Sequence, residues 1–500
     1  MFLKIRKSAV IRFIRSNILL ILLGFSMLLH VTSLDGGHNW GGDFASYLRQ
    51  AYCIADGSFE PFLSQNTFTV LGSDLQPGPV AYPWGYPLLL VPAVLLDRGD
   101  LFLMKLPTVI CFLGFLAGLY FLFKNRMKRI DLLLLTAAFA FNPVLATHSN
   151  DINSDTAFLG FVFFSLLLGR KCLETGSYRK NLIFCTLAGM VIGYATMIRI
   201  NGLALLPSLV LAFFAAGFQD GRKFGTSAIR SIAAMAGAGM VLLLFLSVFP
   251  SGESSHVALL IRSFSFGSLQ QHLRSYFFEI WVEWFHAGFL LPKIPGVLLW
   301  AASAVLGFCG IAASFRKQMP ETVLLVSFTA ATLCIYIVWP AISLRFVFPL
   351  LPILLFWILQ GIRSCARTWR CPVFSPGCRL VIVLLIGIGL ALGVFRSARL
   401  RLKGNPLQCA AYTPQSLELY EYIRKNTSSD AVILFFKPRV MTLQTGRRSL
   451  YILRPEHLCK GDYYCFTDDF QDGSGTLLQD PRLEEDFRKG PFRFFRIRKK

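Results

Sequence analysis

Residues 103–129 read LMKLPTVICFLGFLAGLYFLFKNRMKR. Through Phe123 the run is apolar apart from Lys105; Lys124, Arg126, Lys128 and Arg129 then follow within six residues. About 20 apolar residues in a helix, rising 1.5 Å each, cross the ~30 Å hydrocarbon core of a bilayer. A basic cluster closing such a run tends to stay on the cytoplasmic side. The stretch therefore reads as a transmembrane helix with a known direction.

Similar runs recur along the chain. Eleven spans are expected, near 17–34, 103–123, 131–147, 155–169, 181–198, 203–218, 231–250, 294–314, 322–340, 346–361 and 380–395. Leu88–Leu96 is apolar but too short to span and is read as re-entrant or interfacial. Composition agrees: 54% of the 500 residues are hydrophobic and 16% charged, against about 25% charged in soluble domains. Disorder, collagen and a small disulfide scaffold are excluded. A transmembrane barrel is excluded because the apolar runs are continuous rather than alternating. A polytopic helical membrane protein remains, since in lipid only helices and closed barrels satisfy their own backbone.

The net charge of +22 would suggest nucleic acid in a soluble protein, but no nucleic-acid motif accompanies it. Its distribution is that of a membrane protein. Alternate loops and the N-terminus carry 22 basic residues, including Lys4, Arg6, Lys7, Arg170, Arg316 and Arg363; the opposite loops carry 8. The N-terminus is thus expected in the cytoplasm, with the first span a retained signal anchor. With eleven spans the tail falls outside. The expected organisation is a membrane domain over 1–395, with large outer loops at 35–100 and 251–293, and an outer-side C-terminal domain over 396–500. In that tail Leu417–Lys425 has helical spacing, Asn426–Ser429 is a stop, and Ala431–Phe436 reads as a buried strand. A small α/β or α+β domain follows.

Of twelve cysteines, Cys111, Cys185, Cys309 and Cys334 fall in spans as small apolar residues. Cys365, Cys371 and Cys378 lack the spacing of a zinc site. Cys459 and Cys465 lie on the oxidising side, where a disulfide is open to them.

Five polar places stand out on the outer side, where polar groups near a bilayer mark function. The first is GGDFASYLRQ, residues 41–50, in which Asp43 and Arg49 open an amphipathic helix; Asp43 is either its N-cap or a functional carboxylate. The second is YPWGYP, residues 82–87: two prolines and a glycine fix the backbone, while Tyr82, Trp84 and Tyr86 offer flat faces to a sugar or to the membrane interface. The third is HSNDINSD, residues 148–155, where Asp151 and Asp155 would share a face if helical. The fourth is Arg199 in Arg199-Ile200-Asn201-Gly202, and the fifth is Arg345 in LRFVFPLLP, residues 344–352. An isolated arginine there either snorkels to headgroups or binds an anion such as phosphate. Carboxylates, arginines and aromatics around a membrane-level cleft suit a substrate with a lipid tail, a phosphate and a sugar. Glu279, Glu283 and His286, at i, i+4 and i+7, form the polar stripe of an interfacial amphipathic helix, with a metal or acceptor site as the lesser reading.

In their order and common side, these motifs resemble the GT-C membrane glycosyltransferases. They are most similar to the branch of dolichyl-phosphate-mannose protein mannosyltransferases and bacterial lipid A aminoarabinose transferases. Phe436-Lys437-Pro438-Arg439 and Thr445-Gly446-Arg447 look like bacterial members of that branch. The resemblance implies inverting transfer from a polyprenyl-phosphate sugar to a hydroxyl of a lipid, glycan or protein. It gives Asp43 the place of the general base and Asp155 that of a second acid, with Asp151 beside it; independently, a departing phosphate needs charge neutralisation, for which Arg199 and Arg345 are the candidates. Tyr82, Trp84, Tyr86 and Arg49 would line the substrate. Where many members carry adjacent acids, this chain has Gly42-Asp43-Phe44, so a divalent cation such as Mg or Mn stays open; no nucleotide cofactor is expected. Membrane lipids are expected partners and nucleic acid is not. The bacterial inner membrane is the expected site, with the C-terminal domain in the periplasm. The rival reading is a non-enzymatic flippase or transporter of lipid-linked sugars, which should show charges at mid-span and repeated halves.

Overall fold

The computed structural model describes residues 2–174, 177–219, 221, 224–250, 266–289, 295–339, 341–368, 410–469 and 474–499. The expected span at 380–395, both ends of the loop 251–293, and Cys371 and Cys378 lie outside the described residues.

The chain begins with helix α1 (Phe2–Val31), followed by three helices of the first large loop: α2 (Gly42–Asp56), α3 (Glu60–Gly72) and α4 (Gly85–Leu96). Then come α5 (Leu101–Phe123), α6 (Arg129–Ala140), α7 (Pro143–Ser149), α8 (Ser154–Glu174), α9 (Tyr178–Ile198), α10 (Leu205–Gln219) and α11 (Phe224–Val248). A second group comprises α12 (Phe266–Arg274), a π turn at Ser275–Glu279, α13 (Ile280–Phe289), α14 (Gly296–Phe315), α15 (Met319–Val338) and α16 (Leu351–Thr368). Ten of the eleven expected segments are helical. Among the described residues, seven helices are long and apolar enough to cross a membrane: α5, α8, α9, α10 with its leading 3₁₀ turn, α11, α14 and α15.

Three departures have local causes. The expected span 131–147 is broken by 48° between α6 and α7. There Asn142 caps α7, accepting from the N–H of Val144 (3.0 Å) and Leu145 (3.3 Å), and Pro143 sits at the first helical position. The apolar part of α1 (Asn17–Val31) is short. The segment expected from residue 346 starts as a 3₁₀ turn, Leu344–Val347, and becomes α-helical only at Leu351. Pro349 has no N–H to donate to the Arg345 carbonyl, so the α-helical ladder is interrupted there.

Small residues set the helix contacts. A side chain on Gly189 or Gly237 would collide with the facing backbone across α9 and α11, and one on Gly310 or Gly361 would do so across α14 and α16. Close backbone approach at small residues is a favoured way to pack helices in lipid, where the hydrophobic effect between helices is absent. Outward-facing Leu243, Leu244 and Leu246 on α11 are exposed, as lipid contact requires. At one end of the bundle Arg126 pairs with Glu321, Arg363 with Asp131 and Arg170 with Glu174. The opposite end carries the large loop.

The C-terminal part is a five-stranded sheet of order β2-β1-β3-β5-β4, from β1 (Val432–Leu434), β2 (Arg448–Leu450), β3 (Tyr463–Thr467), β4 (Leu483–Lys489) and β5 (Phe492–Ile497), with helices α17 (Pro414–Asn426) and α18 (Pro438–Thr445). β1 runs parallel to β2 and β3, and the remaining pairs are antiparallel. The end of α3 covers the β2 edge. Thr69 donates to the Ser449 carbonyl (2.9 Å), Ser73 accepts from the Tyr451 N–H (2.9 Å), and Asp74 accepts from the Leu453 N–H (2.8 Å). An edge so covered offers no free ladder. Cys459 is exposed, Cys465 is buried in β3, and both thiols are free, so they form no disulfide.

Candidate functional site

The site begins on one face of α2. Asp43, Tyr47 and Gln50 stand at i, i+4 and i+7 and so project together. The N-cap is Gly41, without a side-chain cap, and Asp43 lies in the first turn. The capping reading of Asp43 is thereby replaced: its carboxylate turns away from the helix, with Oδ1 accepting from the Tyr82 hydroxyl (2.6 Å) and Oδ2 from Nη2 of Arg345 (3.3 Å). Burial alone would raise the Asp43 pKa, but Arg345, the Tyr82 hydroxyl and Arg439 outweigh it and hold the carboxyl below its ordinary value. Burial and the Asp43 charge together keep the Tyr82 hydroxyl protonated, hence a donor.

Tyr82 is fixed through its backbone. Gln50 donates to its carbonyl (2.8 Å) and accepts from its N–H (3.2 Å). The loop is then pressed onto the end of α9 at Gly85, where a Cβ would lie 2.6 Å from the backbone of Met197. Only glycine permits that approach, and it brings the 82–87 loop beside Arg199. The other aromatics of the motif turn elsewhere. Trp84 stacks on Phe249 (5.3 Å between ring centres) and donates to the Pro250 carbonyl (3.0 Å). Tyr86 is buried against Thr108 (2.9 Å). Arg49, six residues after Asp43, points off the site face to Gln65 and the Phe62 ring.

The second acid comes from the start of α8. Asn153 accepts from the Asp155 N–H (3.2 Å), so the helix begins only at Ser154. Asp151 consequently stays in the preceding loop and does not share a helical face with Asp155. It accepts from Asn39 (3.0 Å) and lies 3.7 Å from His148; burial pushes its pKa up to about 6. Asp155 is buried, ion-paired to Arg199, with its other oxygen 3.6 Å from Nη1 of Arg345. Arg345 thus spans both acids. The guanidinium groups of Arg199 and Arg345 lie 5.2 and 5.5 Å from the Phe346 ring centre, a contact that favours cations.

These groups surround a cavity of about 210 Å³ lined by Asp43, Tyr47, Tyr82, Ser154, Arg199, Asn201, Tyr336, Trp339, Arg345 and Phe346, among others. Of the residues singled out in the sequence, Asp43, Tyr82, Arg199 and Arg345 line it and Asp155 backs it. Asp151, Trp84, Tyr86 and Arg49 stand outside its lining. Tyr47 and Ser154, which share a hydrogen bond of 2.9 Å, escaped sequence reasoning, although helical spacing from Asp43 points to the first. Tyr336 and Trp339 carry no sequence signal; they arrive from the end of α15.

Two loops are locked beneath the site by Lys105. Its buried ammonium reaches the Asp35 carboxylate (2.7 Å), the Asp35 and Gly37 carbonyls (2.8 and 2.7 Å) and Asn150 (2.8 Å). His38 adds a second tie: its Nε2 accepts from the Ile152 N–H (3.0 Å). No group of three His, Cys, Asp or Glu side chains among the described residues is placed to hold a metal. Both acids of the cavity already face guanidinium groups, so this donor set does not fit a divalent cation. Glu279, Glu283 and His286 line a separate open groove with Phe278 and Val282.

No protein-family model and no curated protein sequence matches the chain. Among solved structures it is similar to ArnT from Cupriavidus metallidurans in the apo state, at 12% identity and a TM-score of 0.58 over 96% of this chain and 98% of that one. It is similar also to ArnT from the same organism bound to undecaprenyl phosphate, at 11% identity and a TM-score of 0.59, covering 95% of this chain and 97% of that one. A third likeness is to the archaeal oligosaccharyltransferase AglB from Archaeoglobus fulgidus, in complex with an inhibitory peptide and a dolichol-phosphate. There the identity is 12%, the TM-score 0.53, and the match covers 87% of this chain but 64% of that longer one. The chain shares the fold of these ArnT and AglB structures.

Proposed function

We propose that this GT-C chain transfers a sugar from a polyprenyl-phosphate donor to a hydroxyl acceptor, inverting the anomeric centre, on the outer face of the membrane. The observation that carries the reading is the pairing of Asp43 with Arg345 at the cavity wall (3.3 Å), a base candidate and an anion ligand on one surface. The acceptor hydroxyl gives its proton to Asp43 as its oxygen bonds to the anomeric carbon. The bond from that carbon to the phosphate oxygen breaks, and the lipid phosphate leaves with the electron pair. A phosphate needs charge neutralisation to leave rather than protonation, which arginine supplies. Donor phosphate competes with Asp43 for Arg345, and as Arg345 turns to the phosphate the freed carboxylate becomes more basic. Asp155, buried against both arginines, holds them in place. The fold likeness to an undecaprenyl-phosphate-bound structure supports the donor class. The basic loops support an inner-membrane protein with a cytoplasmic N-terminus and a periplasmic C-terminal domain.

The test is transfer from a radiolabelled polyprenyl-phosphate sugar by purified protein in detergent. Release or transfer of sugar without any gradient is expected. Donor binding with no turnover, together with movement of labelled donor across reconstituted vesicles, would replace the enzyme with a flippase.

A further inference from the structure

The C-terminal domain reaches the membrane-domain site through one side chain. Arg439, in the first turn of α18, is fully buried. Its Nη2 donates to the Pro79 carbonyl, its Nη1 lies 3.4 Å from the Tyr82 hydroxyl, and the guanidinium carbon is 5.4 Å from the centre of the Tyr82 ring. The loop makes room for it at Gly78, whose φ is +115°; a Cβ there would stand 3.3 Å from Nη1 and 2.9 Å from the Tyr82 oxygen. Among the described residues no carboxylate forms an ion pair with Arg439, and its Nε is buried without a hydrogen-bond partner. A buried, unpaired guanidinium is costly, so packing alone is a poor reason for it. The hydrogen-bond chain from it leads to an acid: Arg439 to the Tyr82 hydroxyl, and that hydroxyl to Asp43 (2.6 Å).

We propose that Arg439 is a positioning residue of the transfer reaction, a cation supplied by the C-terminal domain that orients the Asp43 carboxylate through Tyr82. The inference rests on Asp43 being the base. A hydroxyl that accepts from a cation is polarised and donates more strongly, so the charge on Arg439 is felt at Asp43 without touching it. The groups facing Asp43 are Tyr47 on its own helix, Tyr82 from the loop, Arg345 from the 3₁₀ turn and Arg439 from α18, with Asp155 behind Arg345. Arg439 and Arg345 therefore act on the carboxylate from two sides, and the membrane domain alone lacks one of its two cations.

Removing Arg439 should raise the pKa of Asp43. The base works ionised, so the acid limb of kcat/KM must move to higher pH. In full-length protein in detergent, Arg439→Met is expected to lower kcat about tenfold, to leave the donor KM within about threefold, and to move the acid limb up by about one pH unit. Arg439→Lys, which keeps the charge, should return the limb part of the way. A merely structural residue would lower the amount of active protein without moving the limb, and an unmoved limb in folded Arg439→Met overturns the proposal. If Arg439→Met does not fold, Tyr82→Phe cuts the relay with Arg439 in place; the same upward movement is expected, and its absence overturns the proposal. Asp43→Asn run in parallel separates the two readings: an inactive Asp43→Asn with an unmoved limb in the Arg439 variant refutes Arg439 alone, whereas an active Asp43→Asn refutes the base assignment beneath it.

Discussion

At the scale of single residues, the proposed chemistry turns on Asp43. It makes no cap, so Asp43→Asn removes basicity at little structural cost, and turnover should fall about 10²-fold or more while donor binding is largely kept. Single-turnover rates and labelled-donor binding on the same preparation check this. The pH profile discriminates further. In the free protein Asp43 is held below the ordinary carboxylate value of about 3.9, so the acid limb of kcat/KM, which reports the free enzyme, should lie below that value. Asp151, raised to about 6, would instead give a limb near pH 6 if it were the base. Asp155→Asn leaves Arg199 and Arg345 without their shared partner, so it should damage donor KM more than the proton-transfer step; full donor binding with collapsed turnover would instead make Asp155 the base. Arg345→Ala should weaken donor use by roughly ten- to over a hundredfold, the worth of a charge-assisted contact of ~1.5–3 kcal/mol. Normal kinetics in a well-folded variant would return Arg345 to headgroup contact.

At the scale of elements, the site depends on three helix starts. α2 begins at Gly42, so Asp43, Tyr47 and Gln50 share a face; α8 begins at Ser154, so Asp155 is drawn into the helix and Asp151 is not; α16 is delayed by Pro349, so Arg345 rides on a 3₁₀ turn. The first start has no side-chain cap; the second is written in capping chemistry and the third in proline chemistry, and these two shift a candidate residue's role. The contact of α4 with α9 at Gly85 joins the Tyr82 loop to Arg199. Gly85→Ala forces a Cβ against the Met197 backbone, and overpacking of this kind costs about 1–3 kcal/mol. The variant should therefore unfold at lower temperature in detergent and lose transfer more steeply than Gly42→Ala, where a Cβ meets nothing within 4 Å. Equal behaviour of the two would remove the packing argument.

At the scale of the whole molecule, the candidate site is assembled from the first loop, the starts or ends of α8, α9, α15 and α16, and one residue of the C-terminal domain. Such a site requires all of these to lie on one side of the membrane. Alkaline phosphatase fused after Leu402 should be active, and green fluorescent protein fused there should be dark. The reverse pair of results would place the C-terminal domain in the cytoplasm and dismantle the common face.

The sequence by itself determined the helical membrane class, the helices of most spans, a small C-terminal domain with a helix and a buried strand, and the clustering of polar motifs at one end. These are properties of local composition: a long apolar run has few other ways to satisfy its backbone in lipid, and the 3.6-residue period places Asp43 and its neighbours on a face. Tertiary structure decided which polar residues meet. Trp84 and Tyr86 share a motif with Tyr82, yet they pack into neighbouring clusters, because adjacent side chains leave the backbone in different directions. Tyr336, Trp339 and Arg439 reach the site from segments about 290 to 400 residues away from Asp43, with no spacing to announce them. The pairing of Arg345 with both acids is equally invisible in the chain, since an ion pair is fixed by where helices end in space and which charges burial forces together.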